Sequence, residues 1–116
     1  MSEKDKCIFD IEAFEKCFDG DKKFAKELIQ AFLDEFPLRL AELKKGIFCK
    51  NIEDIDESTH SMKGLLANMG AEDIASIAKS IELAAKDKDF DKIKETTSYL
   101  NEKIDELIIT FNDYLA

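Results

Sequence analysis

The sequence predicts an all-α fold: an antiparallel up-and-down four-helix bundle with a short additional N-terminal helix. Apolar residues recur at spacings of three and four along most of the chain, which is the period of amphipathic helices. No segment shows a sustained two-residue alternation. The 116 residues include one proline and four glycines, too few for a sheet protein with many tight turns. A chain of this length can bury a single core.

The N-terminal part predicts a short helix followed by a long one. Residues 1–9 form a polar lead-in, Asp10 is a candidate N-cap, and Gly20 closes the short helix. Asp21 begins the long helix, which Pro37 should interrupt or kink. Its apolar face consists of Phe24, Leu28, Ala31, Phe32 and Phe36, and its three phenylalanines are expected to be core rather than binding surface. The continuation carries Leu40, Leu43 and Ile47.

Three further helices follow with short connections. Asn51 caps the third helix and Gly70 ends it in a C′ position, while the turn at 87–91 leads into the last helix. The inward positions of the third helix are Ile52, Ile55, Thr59, Met62, Leu66 and Met69. Those of the fourth are Ile74, Ile77, Ala78, Ile81 and Ala85. Those of the fifth are Ile93, Thr97, Leu100, Ile104, Leu107, Ile108 and Phe111.

Composition excludes several classes of function. A net charge of −9 argues against binding to nucleic acid or to an anionic membrane surface. There is no long apolar run and no signal-peptide pattern, so we expect a soluble, cytoplasmic protein. Cys7, Cys17 and Cys49 have no C-x-x-C spacing and are interpreted as reduced thiols, with Cys17 and Cys49 semi-buried. With a single histidine they do not make a convincing zinc site.

That histidine, His60, lies in a segment with an unusual glycine. On a helix His60 shares a face with Lys63 and Gly64, and a side chain at position 64 would crowd the imidazole. Glycine in a helix interior costs roughly 1 kcal/mol relative to alanine, so we expect access to His60 to be the compensating gain. The Lys63 ammonium would deter protonation of the ring and attract an anion. Both effects suit a neutral imidazole acting as a nucleophile toward phosphorus.

The helix after Gly70 offers a partner for the imidazole. If the two helices form a tight hairpin centred near Ala71, His60 faces Glu82 and Gly64 faces Ala78. Glu82 would then accept a hydrogen bond from one ring nitrogen and leave the other free. An exposed helix glutamate is the alternative interpretation of Glu82. Lys79 and Lys86 are the fallback neighbours if the register slips.

The segment "THSMKGLLANMGA" resembles the signature of histidine-containing phosphotransfer (HPt) domains: a histidine, Lys-Gly after two residues, and a Gly-Ala about six beyond. "FDIEAFEKCFDGDKKFAKELIQAFLDEFPLRLAELKKGI" resembles the N-terminal portion of that family. The resemblance covers nearly all of the chain from about residue 8, and we expect residues 10–116 to form one HPt-like domain. The initial methionine and polar lead-in favour a free-standing protein.

The resemblance implies a histidine phosphocarrier in a two-component phosphorelay. His60 would be the phosphorylated nucleophile, Lys63 would stabilise the phosphoryl group, Gly64 would give access to a response-regulator receiver domain, and Glu82 would contact the imidazole. The receiver would supply the catalytic aspartate and Mg²⁺, so the chain needs no cofactor and is not itself an enzyme. An upstream hybrid histidine kinase is the other expected partner. A closed four-helix core favours a monomer.

Two other functions compete with this one. A non-catalytic helical module that docks a receiver or another signalling protein predicts that His60→Gln keeps binding and biological activity. A small enzyme or metal protein using cysteine and histidine is disfavoured by the single imidazole. It is also disfavoured because no cysteine lies at helical spacing from it.

Overall fold

The computed structural model describes residues 9–116, which form five helices. Their bounds are α1 Ile11–Lys16, α2 Lys22–Phe48, α3 Ile52–Asn68, α4 Glu72–Lys86 and α5 Phe90–Leu115. α3 packs against α2 and α4, and α5 closes the bundle by packing against α4 and α2, while α1 lies against α2. The predicted all-α fold, a four-helix bundle with a short additional N-terminal helix, is confirmed. Apart from Phe9, the predicted lead-in and Cys7 lie outside the described residues.

The predicted helix starts agree with the observed caps. The side chains of Asp10, Asp21 and Asn51 each accept a hydrogen bond from a backbone N–H in the first turn of α1, α2 and α3. Asp89 caps α5 in the same way. α4 differs, because its N-cap is Ala71, which has no side-chain oxygen to accept a hydrogen bond from the first turn.

The three connections between the long helices share one backbone design. In each, the middle residue has a positive φ: Lys50 at 53°, Gly70 at 78° and Lys88 at 56°. Around Gly70, the N–H of Gly70 bonds to the carbonyl of Ala67 and the N–H of Ala71 bonds to that of Leu66, which is the Schellman pattern. Equivalent bonds surround Lys50 and Lys88. In all three, the residue that follows the positive φ is the N-cap of the next helix.

Two expectations for α2 were wrong in part. Pro37 does not interrupt the helix, which runs through it from Lys22 to Phe48. The buried face also differs in part from the predicted one: Phe32 and Phe36 are buried as expected, but Phe24 is 43% exposed and Ala31 is exposed. The side chains buried on this helix belong to Ala25, Ile29, Phe32, Phe36 and Leu43. Phe24 instead lies at the end of the bundle, where its ring packs edge-on against Phe18 of the α1–α2 turn.

The inward positions predicted for α3, α4 and α5 agree with the structure more closely. Ile55, Met62, Leu66, Ile81 and Ile104 are among the largest fully buried side chains. Ile52, Ile77 and Ile108 are half-buried at the margins of the core. Burial of these stripes against one another fixes the rotation of each helix about its axis. The outward faces of α3 and α4 are fixed by the same packing.

The cysteine expectation was wrong in one respect. Cys17 and Cys49 are free thiols, as expected, but both are exposed rather than semi-buried. Cys17 follows the last residue of α1 and Cys49 follows the last residue of α2, where the chain turns at the surface.

Candidate functional site

His60 lies on the outer face of α3, and its side chain is 73% exposed. The two residues before it, Ser58 and Thr59, are buried, and their hydroxyls donate to backbone carbonyls one turn earlier, at 2.8 Å to Asp54 and 2.8 Å to Ile55. These local bonds satisfy the buried hydroxyls without a tertiary partner. Because Thr59 points into the core, the next residue on a helix of 3.6 residues per turn points away from it.

Gly64 leaves the surface next to His60 open. Gly64 is exposed, and a Cβ atom built on it would have no neighbouring atom within 4 Å. Gly64 therefore makes no close contact with Ala78, the residue that the hairpin register placed opposite it. The glycine that does permit a close helix approach is Gly46 of α2, whose added Cβ would lie 3.1 Å from Cγ1 of Ile55 and 3.2 Å from its backbone nitrogen.

Lys63 and Glu82 join α3 to α4 across the face that carries His60. The Nζ of Lys63 donates a hydrogen bond to Oε1 of Glu82 at 2.8 Å. The Lys63 side chain is 30% exposed and that of Glu82 only 14%. This hydrogen bond holds the pKa of Glu82 below its ordinary value of 4.5, against the partial burial of the carboxyl, which acts in the opposite direction.

Glu82 also faces the imidazole, but it does not form the expected hydrogen bond. Its Oε2 lies 3.7 Å from Nδ1 of His60, which is beyond hydrogen-bond distance. The carboxylate is drawn toward Lys63 instead. The structure therefore brings His60, Lys63 and Glu82 together in one cluster, in which the ammonium and the imidazole share one carboxylate. The positive charge of Lys86, a fallback neighbour in the sequence analysis, also lowers the pKa of Glu82.

The other side of α3 borders a charged groove that the sequence analysis did not define. The groove has a volume of about 490 Å³, and its lining residues are Arg39, Glu42, Lys45, Asp54, Glu57 and Ser61. The Arg39 guanidinium donates hydrogen bonds to Glu35 at 2.9 Å and to Glu42 at 3.0 Å, and these partners raise its pKa. Leu38, the residue before Arg39, is 60% exposed. Helical spacing could have placed Arg39 with Glu35 and Glu42, since these pairs lie four and three residues apart.

Within residues 9–116 no three potential metal-ligating side chains from histidine, cysteine, aspartate and glutamate come together. Nor does any helix in that part of the chain have the length and apolar character needed to cross a membrane.

Known proteins resemble the chain in sequence and in fold. A family model described as "Hpt domain" matches residues 27–109. The phosphorelay intermediate protein rdeA of Dictyostelium discoideum is 22% identical over 96 residues, which are 83% of this chain and 38% of the relative. The chain thus spans well under half the length of that curated relative.

A solved structure has the same fold. The crystal structure of histidine-containing phosphotransfer protein B from Pseudomonas aeruginosa PAO1 superimposes with a TM-score of 0.81, at 19% sequence identity and over 90% of each chain. The matched family segment includes the whole of α3 and α4 and therefore His60, Lys63, Gly64 and Glu82. On the strength of the family match over most of its length, the chain belongs to the Hpt domain family.

Proposed function

We propose that the protein is a histidine phosphocarrier of a two-component phosphorelay, in which His60 accepts a phosphoryl group from one receiver-domain aspartate and passes it to another. The observation that carries this proposal is the exposure of the single imidazole, 73%, beside a glycine with open space around it. Membership of the Hpt domain family supports it. The relative from Dictyostelium discoideum is a phosphorelay intermediate protein, which supports it as well.

The residues of the cluster take distinct roles in this proposal. His60 is the nucleophile, and Gly64 leaves room for the partner that brings the phosphoryl group. The Lys63 ammonium, within one helical turn of His60, would donate hydrogen bonds to phosphoryl oxygens. Glu82 faces Nδ1 and would bias the ring toward the tautomer in which Nε2 has the free lone pair.

The catalytic groups would come from the partner. A receiver domain would provide the aspartate and Mg²⁺, while this chain provides a positioned nucleophile and no cofactor. Transfer then depends on positioning and on electrostatic stabilisation in the complex. In this sense the protein is a substrate of the relay rather than an enzyme. Its partners would be receiver domains and an upstream hybrid histidine kinase.

We further expect the protein to act as a monomer in the cytoplasm. The described core is closed by the four long helices. The exposed free thiols of Cys17 and Cys49 suit a reducing compartment. Analytical ultracentrifugation of the purified protein and fractionation of cells test these two points separately.

The decisive experiment is phosphotransfer from purified receiver domains that carry a labelled aspartyl phosphate. The protein should acquire an acid-labile, base-stable label, and His60→Gln should abolish it. Lys92→Gln, at an exposed position on α5, is a control that removes a polar side chain away from the cluster and should label normally. A label that survives His60→Gln would refute the proposal.

The same variants separate the phosphocarrier from an interaction module without chemistry. If the module hypothesis holds, His60→Gln binds receivers and supports signalling as well as the wild type does. If the phosphocarrier proposal holds, His60→Gln retains binding but loses signalling.

A further inference from the structure

α5 has a lysine on its buried face. Lys103 is 9% exposed, and within residues 9–116 it is the one charged residue among the buried side chains. It lies three residues after Leu100 and four before Leu107, which are both inward positions of α5. An apolar residue is the usual occupant of such a position, and a lysine is seldom buried there unless it is paired. The burial of Lys103 therefore requires a physical explanation.

The Lys103 ammonium has two weak partners in the described part of the chain. Its Nζ lies 3.6 Å from Oε1 of Glu106, beyond hydrogen-bond distance, and 5.7 Å from the centroid of the Tyr99 ring. The Glu106 side chain is 55% exposed, so solvent screens its charge. An ammonium has three N–H donors, and neither of these contacts is a conventional hydrogen bond. Because a buried donor without an acceptor is destabilising, Lys103 is suited to a further acceptor.

Lys103 lines a mostly apolar cavity between α5 and the start of α4. The volume of this cavity is about 240 Å³. Its other lining residues are Phe9, Ile74, Glu106, Leu107, Ile109 and Thr110. The ring of Phe9 packs edge-on against Phe111 with a centroid distance of 5.1 Å, which fixes that side of the wall. Ile109 is 62% exposed, so one apolar side chain of the wall is accessible from solvent.

We propose that this cavity binds a small amphiphilic carboxylate. Its charged group would accept hydrogen bonds from Nζ of Lys103, and its hydrocarbon part would pack against Ile74, Leu107 and Ile109. The negative charge of the ligand complements the ammonium, and the hydrocarbon complements the apolar wall. Sites for small ligands have this composition, with mostly apolar lining and few polar groups that fix the orientation of the ligand. Glu106 would compete for the ammonium, but its exposed carboxylate can turn into water.

The size of the cavity supports a small molecule as the occupant. An apolar cavity of about 150 Å³ is enough to bind benzene, whereas pockets for drug-sized ligands begin at about 300 Å³. A volume of about 240 Å³ lies between these values and suits a short hydrocarbon chain or one ring with a carboxylate.

The cavity is distinct from the candidate phosphorylation site. Its lining residues lie on α5, at the start of α4 and at Phe9, whereas His60 and Lys63 lie on α3 and Glu82 lies further along α4. The inference is therefore independent of the phosphocarrier proposal, and either can fail without the other.

The test is an NMR titration of the full ¹⁵N-labelled chain with octanoate, compared with octanol and octylamine of the same chain length. Octanoate should give saturable shift changes at Ile74 and at residues 103–110 of α5. Octanol should bind at least about tenfold more weakly, because it lacks the charge-assisted hydrogen bond to the ammonium. Octylamine, which has the opposite charge, should give no saturable change.

Three variants separate the contributions of the wall. Lys103→Met keeps an unbranched side chain without the ammonium, so octanoate binding should weaken by about tenfold or more while octanol binding stays the same. An apolar replacement of a buried charge is compatible with folding. Ile109→Gln, at an exposed position, should weaken the binding of both ligands. Glu106→Gln removes the competing carboxylate and should strengthen octanoate binding by up to about fivefold.

Lys94→Met is the matched control, since it makes the same change in net charge at an exposed position of α5 and should bind octanoate as the wild type does. Circular dichroism establishes that each variant is folded. Equal affinity of the wild type and Lys103→Met for octanoate would overturn the inference, and so would shift changes that do not saturate.

Analytical ultracentrifugation tests a second copy of the chain as the occupant of the cavity. Dimerisation that Ile109→Gln abolishes, together with no binding of octanoate, would also overturn the inference. Labelling of His60 by receiver domains would be unaffected by any of these results.

Discussion

Lys63 of α3 and Glu82 of α4 form a hydrogen-bonded ion pair of 2.8 Å that spans the two helices of the candidate site. The pair is separated by 19 positions in sequence, and the three-residue connection at 69–71 brings its members together. It therefore ties the site to the helix hairpin that carries it. The pair has consequences for stability as well as for chemistry.

Glu82→Gln should lower stability at neutral pH by up to about 1 kcal/mol, the upper range for a partly exposed ion pair. The pKa of Glu82 is held below 4.5 in the folded protein, chiefly by Lys63, so the folded state favours the carboxylate form. That contribution is present above the unfolded-state pKa and is lost as pH falls through the lower folded-state value. Urea unfolding at several pH values should show wild type and variant converging below pH 4.5. A constant difference down to low pH would contradict this assignment.

The two helix-interior glycines should respond oppositely to alanine. At Gly64 an added Cβ meets no atom within 4 Å, so Gly64→Ala should stabilise the protein by about 0.5–1 kcal/mol through helix propensity. At Gly46 the Cβ would press on the side chain and backbone of Ile55, and Gly46→Ala should destabilise by roughly 1 kcal/mol or more. Thermal unfolding of both variants checks the signs.

Variants of Gly64 can also be tested by their rate of phosphotransfer. If Gly64 is present for access, Gly64→Ala and larger replacements should slow phosphotransfer from receiver domains even though the alanine variant is more stable. An alanine variant that gains stability and transfers at the wild-type rate would remove the functional explanation of this glycine.

Tyr114 should titrate at unusually high pH. Its hydroxyl donates a hydrogen bond to Glu15, which raises the pKa of Tyr114 to about 12 from an ordinary 10.0. The sequence has two tyrosines, and absorbance of the phenolate should show a step near pH 12 that is lost in Tyr114→Phe and kept in Tyr99→Phe. Because the folded-state pKa is raised, this tie between α5 and α1 stabilises the protein fully below pH 10. Its contribution is lost as pH rises through about 12.

Lys88 adopts a left-handed backbone conformation, with φ at 56°, in the connection between α4 and α5. A residue with a Cβ is strained there by about 1–2 kcal/mol, and the greater flexibility of glycine in the unfolded chain offsets part of that strain. Lys88→Gly should therefore stabilise the protein by about 0.5 kcal/mol, as measured by urea unfolding. The matched control is Lys92→Gly within α5, which should destabilise it.

Helical periodicity and N-cap residues were sufficient to predict the fold. Asp10, Asp21 and Asn51 mark helix starts because each side chain accepts a hydrogen bond from the backbone N–H three residues further on, which has no partner within the helix. The predicted buried face of α2 was wrong at its start because Phe24 and Ala25 are both apolar, so spacing alone does not say which of them faces the core. An interruption was one expectation at Pro37 because proline lacks a backbone N–H donor, but α2 runs through it.

For the candidate site, the hairpin register brought Glu82 close to His60 but could not say which neighbour would take its carboxylate. That outcome depends on side-chain reach: the long Lys63 side chain approaches to 2.8 Å, while the imidazole stays at 3.7 Å. The role of Gly46 was missed for a similar reason. Gly46 allows α2 and α3 to approach closely, and the distance between two helices cannot be predicted from the residue pattern of α2 alone.

The Schellman connections have a consequence for how the protein would signal. Each connection has paired backbone hydrogen bonds and leads directly into the N-cap of the next helix. We expect these short, hydrogen-bonded connections to restrict the rotation of one helix relative to its neighbour. Loading and unloading of the imidazole would then be absorbed by rotations of the Lys63 and Glu82 side chains. We therefore expect the two forms to have superimposable backbones. A partner would then have to recognise the phosphoryl group directly, because the backbone of the protein would be the same with and without it.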